Sequence, residues 1–440
     1  MSGAGGVYRA SRAARGLQGR IRVPGDKSVS HRAVMLASLA EGASHISGFL
    51  EGEDTRATAR AFAQMGVRMD APEASVRIVH GVGLHGLTAP AAAIDCGNAG
   101  TGMRLLAGLL AGQGFDSELV GDESLSRRPM NRVVLPLRQM GAVIDTAPEG
   151  RPPLRIHGGS ALQGIRYELP VASAQVKSAL LLAGLYAQGE TETIEPHPTR
   201  DYTERMLTAF GVDIDFEPGR ARLRGGQTLR ATEVQVPADF SSAAFFIVAA
   251  SLIPGSDLLI EQVGINPRRT GLLEALRLMG AELTLENPSE HGGEPVADLR
   301  VRHARLRGAV IPEHVVPDMI DEFPALFVAA ACAEGVTTVS GAAELRVKES
   351  DRIKSMAEGL QTLGARIEER PDGAIIEGGA LRGGTVHARG DHRIAMSFAI
   401  AGQLSAGEVR IEDCANVATS FPGFVELARG CGFALQEKTF

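Results

Sequence analysis

SHRAVMLASLAEG, Ser30–Gly42, is apolar on nearly every face, built largely of small residues and closed by glycine. A helix with no solvent side is expected inside a domain, not on its surface. Five further segments share the design: GTGMRLLAGLLAG (100–112), AQVKSALLLAGLYAQG (174–189), FSSAAFFIVAASLIPG (240–255), DEFPALFVAAACAEG (321–335) and HRIAMSFAIAGQLSAG (392–407). Their closing glycines recur at intervals of about seventy residues, so the chain reads as six copies of one unit.

A second marker follows each of the first. FAQMGVRMD, LRQMGAVID, LTAFGVDID, LRLMGAELT, LQTLGARIE and ARGCGFALQ each read as the end of an amphipathic helix, a glycine and a short alternating strand. Glycine just past an apolar-periodic helix is the usual C-terminal cap, because it adopts a left-handed backbone without steric cost. Short strands such as YELPV, EVQVP and TVHARG complete each unit. The expected fold is therefore α/β with buried central helices, unlike a (β/α)8 barrel, whose core is made of strands. Six units divide into two domains of three. The expected seam lies near Pro237: residues 25–237 form the first domain, and residues 1–24 with 238–440 the second.

Composition narrows the function. The chain has 440 residues, 44% hydrophobic and 22% charged, with a formal charge of −7, which argues against nucleic acid or an anionic membrane as a partner. Any anion it binds must meet local cations. Cys96, Cys332, Cys414 and Cys431 form no CxxC pair or metal-ligand spacing, so they read as buried thiols in a reducing compartment. No apolar run is long enough to span a membrane, and the first twenty residues lack the apolar stretch of a secretory signal. A loose start leading into a first strand, and a cytoplasmic location, are expected.

Chemistry gathers where the six apolar helices begin. GDKSVSHR (25–32) places Lys27, Ser28, His31 and Arg32 there; the later units offer Asn98, Gly100 and Thr101; Ser173, Gln175 and Lys177; Asp239, Ser241 and Ser242; Asp318, Asp321 and Glu322; and Asp391, His392 and Arg393. Helix starts carry free N–H groups and the positive end of the helix dipole, so six of them in one place would trap anions. Ser28, Asn98, Ser173, Ser241 and Asp318 also fit plain N-caps. Lys27 and Arg32 oppose the dipole and therefore favour a bound anion over a structural role. His31 reads as a packed or hydrogen-bonded histidine. Arg127 and Arg128, in GDESLSRRPM, are either a solvated pair or anion ligands. In ELRVKESDRI a helix would put Lys348 and Arg352 on one face with Glu349 beside them, as a site or as an exposed ion-pair network.

Nine motifs in order, GDKSVSHR, GNAGTGMRL, SRRPM, SAQVKSALLL, TRDYTERM, PDMIDEFP, RVKESDRI, GDHRIAMSF and SFPGF, resemble those of the 5-enolpyruvylshikimate-3-phosphate synthase family of enolpyruvyl transferases. The resemblance spans essentially the whole chain. It implies the inverted α/β barrel, two threefold domains with the active site in the cleft between them, and transfer of the carboxyvinyl group of phosphoenolpyruvate to the 5-hydroxyl of shikimate 3-phosphate. It implies no metal and no cofactor, and a monomer is expected. By resemblance Asp318 is the base on the hydroxyl, with Lys27 and Glu349 the candidates for proton transfer; Lys27 is expected among cations that lower its pKa. Lys27, Asn98, Gly100, Arg128, Gln175, Arg352, His392 and Arg393 are implied contacts of phosphoenolpyruvate. Lys27, Ser28, Arg32, Ser173, Ala174, Gln175, Arg200, Asp318 and Lys348 are implied contacts of shikimate 3-phosphate, Ala174 through its backbone only.

Three departures qualify the resemblance. Thr419 stands where many relatives carry a lysine toward phosphoenolpyruvate, Leu105 replaces a proline common in the glyphosate-sensitive branch, and TRDYTE resembles the other branch. Gly100 keeps the small residue that leaves room for glyphosate, so the inhibitor is expected to bind. The alternatives are a UDP-N-acetylglucosamine 1-carboxyvinyltransferase, whose family usually has a cysteine in the loop matching GDESLSRRPM, and a non-catalytic repeat scaffold.

Overall fold

The computed structural model describes residues 6–438, so the first five residues of the expected loose start lie outside the described residues. The six apolar segments form α1 (Lys27–Leu39), α3 (Gly100–Leu110), α6 (Ala174–Gly184), α8 (Phe240–Leu252), α10 (Phe323–Cys332) and α12 (His392–Leu404). Every residue of α8 is buried, as its lack of a polar face requires. The amphipathic segments form α2 (Glu53–Gln64), α5 (Asn131–Gln139), α7 (Tyr202–Ala209), α9 (Gly271–Leu278), α11 (Arg352–Thr362) and α13 (Phe424–Cys431), and a single turn, α4, spans Glu123–Ser126. Each of the six amphipathic helices is followed by a glycine with positive φ: Gly66, Gly141, Gly211, Gly280, Gly364 and Gly432. The left-handed backbone turns the chain from outer helix into strand.

Six small sheets accompany the helices. Their pairing repeats. Strand Glu190–Ile194 runs parallel to Arg166–Glu168 and antiparallel to Arg220–Arg224. Ser117–Val120 pairs in the same sense with Ile94–Asp95 and Arg151–His157, and Asp257–Gly264 with Gln18–Ile21 and Glu294–Arg302. In the last unit Val409–Glu412 is parallel to Gly384–His387 but takes its antiparallel neighbour from the N-terminus, Val7–Ser11.

The chain divides into two compact units, one of residues 1–24, 238–289 and 295–440, the other of residues 25–237 and 290–294. Residues 290–294 group with 25–237 rather than with the rest of 238–440, and Arg205 of α7 donates to the Gly293 carbonyl at 2.8 Å. Each unit has its own apolar core around three inner helices. Close helix contact depends on glycine in places: a Cβ on Gly108 of α3 would stand 2.1 Å from the Ala179 carbonyl oxygen of α6.

Candidate active site

In the 25–237 unit, α1 opens on Asp26, whose Oδ1 accepts from the Val29 amide at 2.9 Å. Asp26, not Ser28, is thus the N-cap, and Lys27 and Ser28 are the half-buried first residues of the helix. Lys27 does not sit among cations only: its Nζ meets Asp54 of α2 at 3.0 Å. One turn on, Arg32 is buried, donating from Nε to Thr203 Oγ1 at 2.7 Å and through its terminal nitrogens to Ser178 Oγ at 2.8 Å and the Ser28 carbonyl at 2.9 Å. Burial lowers its pKa to about 10 against the pull of Glu204 and Asp26, while Arg200 adds a second positive charge nearby. The guanidinium stays charged, held by hydroxyl groups instead of a contacting carboxylate.

A second group gathers at the starts of α3 and α6. Ala99, without a side-chain cap, precedes α3; Asn98 is not its cap, since its amide donates to Asp122 at 2.7 Å and its Oδ1 accepts from Arg128 at 2.6 Å. Arg127 turns outward to pair with Glu123, so the two arginines part company. A Cβ built on Gly100 would lie 3.1 Å from an Arg128 nitrogen and 3.2 Å from an Arg104 nitrogen. Gln175 donates to Thr101 Oγ1 at 2.8 Å and accepts from Arg104 at 2.7 Å. Ser173 is the N-cap of α6, accepting from Val176 at 3.4 Å, and Ala174 is the first helical residue. The α6 cation Lys177 lies deeper, paired with Glu195 and Glu204.

In the other unit the helix starts are acidic. Asp239 caps α8 and Asp391 caps α12, accepting from Ser241 at 2.8 Å and Arg393 at 3.0 Å; Glu322 occupies the N-cap position of α10. With Asp26, three of the six inner starts spend N–H groups on aspartate, so a uniform anion trap is corrected to a partly self-neutralised one. Two buried arginines tie these acids together. Arg269 reaches Asp321 at 3.2 Å and Asp239 at 3.4 Å. Arg352 reaches Asp391 at 2.9 Å, Asp321 at 3.3 Å and Glu349 at 2.6 Å. Burial alone would lower the pKa of Arg352, but Asp391, Glu349 and Asp321 outweigh it and raise the value.

The shared helical face expected for Lys348 and Arg352 does not form. Residues 343–347 are a 3-10 turn, Lys348 is extended, and Asp351 caps an α11 that begins at Arg352. Lys348 is part-buried, 3.6 Å from Glu344; burial lowers its ammonium pKa against the opposing pull of Asp321 and Glu344, with Arg352 adding to the lowering. Asp318 lies in the turn Pro317–Met319, 7% exposed, with Arg268 at 3.3 Å. It precedes α10 without capping it. His392 and Arg393, both buried, open α12, and Arg393 approaches Glu322 at 3.9 Å. Among the described residues no three His, Cys, Asp or Glu side chains are grouped to hold a metal ion.

Asp54, Arg104, Arg268 and Arg269 are among the residues that escaped sequence reading. Arg104 stood in the quoted GNAGTGMRL motif, and the pair in NPRRT (266–270) offered a visible signal in its two adjacent cations.

His31 is the packed histidine the sequence suggested, its Nδ1 2.8 Å from Thr58 Oγ1. Burial, helped by the charges of Lys27 and Arg32, drives its pKa down to about 3. The unfolded chain therefore binds a proton that the native imidazole refuses between pH 6.5 and about 3, and stability falls as pH falls through that window by about 1.4 kcal/mol per unit. Denaturant titrations at pH 6.5, 5.5 and 4.5 are expected to show a flatter loss in His31→Gln than in the wild type; equal slopes would remove His31 as the cause.

Comparison with known proteins accounts for nearly the whole chain. The EPSP synthase (3-phosphoshikimate 1-carboxyvinyltransferase) family matches residues 12–427. A 3-phosphoshikimate 1-carboxyvinyltransferase of Xanthomonas euvesicatoria pv. vesicatoria is 71% identical over 420 residues, 96% of each chain; one of Xanthomonas campestris pv. campestris is 71% identical over 422 residues, again 96% of each. Among solved structures, EPSP synthase from Acinetobacter baumannii superposes with a TM-score of 0.89 at 52% identity, covering 98% of this chain and 100% of that one. The enolpyruvyl transferase NikO from Streptomyces tendae, at 19% identity and a TM-score of 0.80 over 99% of this chain and 100% of its own, shares the fold. The six-unit α/β architecture is thus that of the enolpyruvyl transferases, and the chain belongs to the EPSP synthase (3-phosphoshikimate 1-carboxyvinyltransferase) family.

Proposed function

We infer that the protein transfers the carboxyvinyl group of phosphoenolpyruvate to the 5-hydroxyl of shikimate 3-phosphate, releasing phosphate, on the shikimate route to chorismate and the aromatic amino acids. The carrying observation is the buried, hydroxyl-held Arg32 with Arg200 nearby, in a chain whose family makes this product. A fixed cation without a contacting carboxylate is ready for a dianionic phosphate. Ser28, Ser173, Ala174, Gln175 and Lys348 complete the reading for shikimate 3-phosphate. For phosphoenolpyruvate, Arg128 and Gln175 beside Gly100, with Lys27, Asn98, Arg352, His392 and Arg393, supply the cations and donors.

The chemistry then runs as follows. Asp318 takes the proton of the 5-hydroxyl as its oxygen bonds to C2 of phosphoenolpyruvate, while Lys27 or Glu349 gives a proton to the methylene carbon. The group that gave it then takes a proton back from that carbon as the C2–O bond to phosphate breaks, which restores the double bond and releases phosphate. Arg268 holds the Asp318 carboxylate from one side, and Asp54 holds Lys27. A cytoplasmic location fits four cysteines that are free.

The rival nucleotide-sugar transferase is disfavoured by the absence of cysteine from residues 121–130, and a scaffold by the concentration of charge at helix starts. Phosphate release decides: turnover with shikimate 3-phosphate supports this reading, and turnover only with UDP-N-acetylglucosamine gives the protein to the rival. Glyphosate is expected to compete with phosphoenolpyruvate, because Gly100 leaves open the space that a Cβ would take against Arg128 and Arg104. An inhibition constant of millimolar or weaker would refute that.

A further inference from the structure

Lys177 lies on α6 one turn inside its start and is 2% exposed. Its Nζ meets Glu195 Oε2 at 2.9 Å and Glu204 Oε1 at 2.7 Å, and reaches the Thr199 carbonyl at 3.5 Å. Both carboxylates are buried as well. Burial presses the lysine pKa down, but Glu204 and Glu195 more than reverse it. A buried charge cluster of this kind adds little net stability, since its desolvation offsets most of the attraction. What it fixes in space is the better guide to its role.

The three groups come from three elements: α6, the end of strand Glu190–Ile194, and α7. Glu195 also accepts from the Thr199 amide at 3.3 Å and from the Thr199 hydroxyl. The segment from Glu195 to Glu204 is thereby pinned at both ends and near its middle. It carries Arg200, Tyr202 and Thr203. Thr203 Oγ1 accepts from Arg32 Nε at 2.7 Å and donates to Ser178 Oγ at 2.7 Å. The Tyr202 hydroxyl donates to Asp26 Oδ2 at 3.3 Å, and its ring centroid lies 5.9 Å from the Arg32 guanidinium carbon.

We propose that Lys177, Glu195 and Glu204 form a buried strut that sets Arg32 and Arg200 in register for the anionic groups, carboxylate and phosphate, of shikimate 3-phosphate. They are positioning residues and touch no substrate. The proposal rests on the substrate reading above, and the experiment separates the two.

Shikimate 3-phosphate is titrated calorimetrically into the wild type and into Glu204→Gln, which keeps the shape of the side chain and removes its charge. The expected result is a dissociation constant about tenfold weaker, as for a misplaced ligand group, with the KM for phosphoenolpyruvate at saturating shikimate 3-phosphate changed less than twofold. Wild-type affinity in a folded Glu204→Gln protein overturns the strut. Lys177→Met, Glu195→Gln and Glu204→Met together remove all three charges and guard against a folding defect; a folded, weakly binding protein is expected, and wild-type affinity again overturns it. Hydrogen exchange in the unliganded wild type adds an arm that needs no variant: the Thr199 amide is expected to exchange slowly, and exchange at the rate of a free loop counts against the strut. If the wild type binds no shikimate 3-phosphate, the substrate reading falls, while the exchange result still judges the strut's geometry.

Discussion

Arg352→Ala is expected to destabilise the ligand-free protein by about 3–5 kcal/mol, the largest stability effect of any single substitution considered for the site. Arg352 is 1% exposed and is the partner of Asp391, Asp321 and Glu349 together. Removing it takes the shared cation from three carboxylates, of which Asp391 keeps the Arg393 amide at 3.0 Å and Asp321 keeps Arg269 at 3.2 Å. Arg352→Lys keeps the charge but loses the planar fork that serves several acids at once, so it falls between alanine and the wild type. Urea unfolding without substrates makes the comparison. A loss below about 1 kcal/mol in the alanine protein would mean that Arg352 is held for its ligand alone and that its acids find other partners.

Asp318→Asn is expected to lower kcat by about 10²–10⁴-fold, the usual contribution of a positioned general base. Asparagine keeps the volume and the turn at Pro317–Met319 but cannot accept the hydroxyl proton. The partner it abandons, Arg268, is about one-third exposed, so the freed guanidinium is solvated and folding is retained. Steady-state phosphate release at saturating concentrations of both substrates gives the number. Turnover within tenfold of the wild type would take the base role from Asp318.

The architecture was legible because it is written twice in each unit, once in an all-apolar helix and once in a glycine after an amphipathic one. Gly66, Gly141, Gly211, Gly280, Gly364 and Gly432 need a backbone that few other residues adopt, so their spacing carried architectural information that no single propensity could. The helix starts were legible as a class but not in detail. Asp26 displaced Ser28 as a cap, and Asp351 broke the helix that would have joined Lys348 to Arg352. In both cases an aspartate bonded the amide three residues on, a local competition that charge spacing does not reveal. Partners arriving from distant segments were invisible altogether. Asp54 reaches Lys27 from the next helix, Arg104 reaches Gln175 from another unit of the repeat, and Arg269 and Arg352 converge on Asp321 from sequence positions far apart. Local order follows from neighbours in sequence, whereas the electrostatic environment of a site is set by the tertiary fold.

Val7–Ser11 is an interior strand, flanked by Val409–Glu412 on one edge and Ala434–Lys438 on the other. Both partners come roughly four hundred residues later in the chain, so this pairing is a contact of very long sequence separation and slow to form. The stretch 25–237 can close its own core while Val7–Ser11 still waits for its neighbours. A chain cut before residue 434 would keep that strand without one of them and leave an unpaired edge open to pairing with another chain.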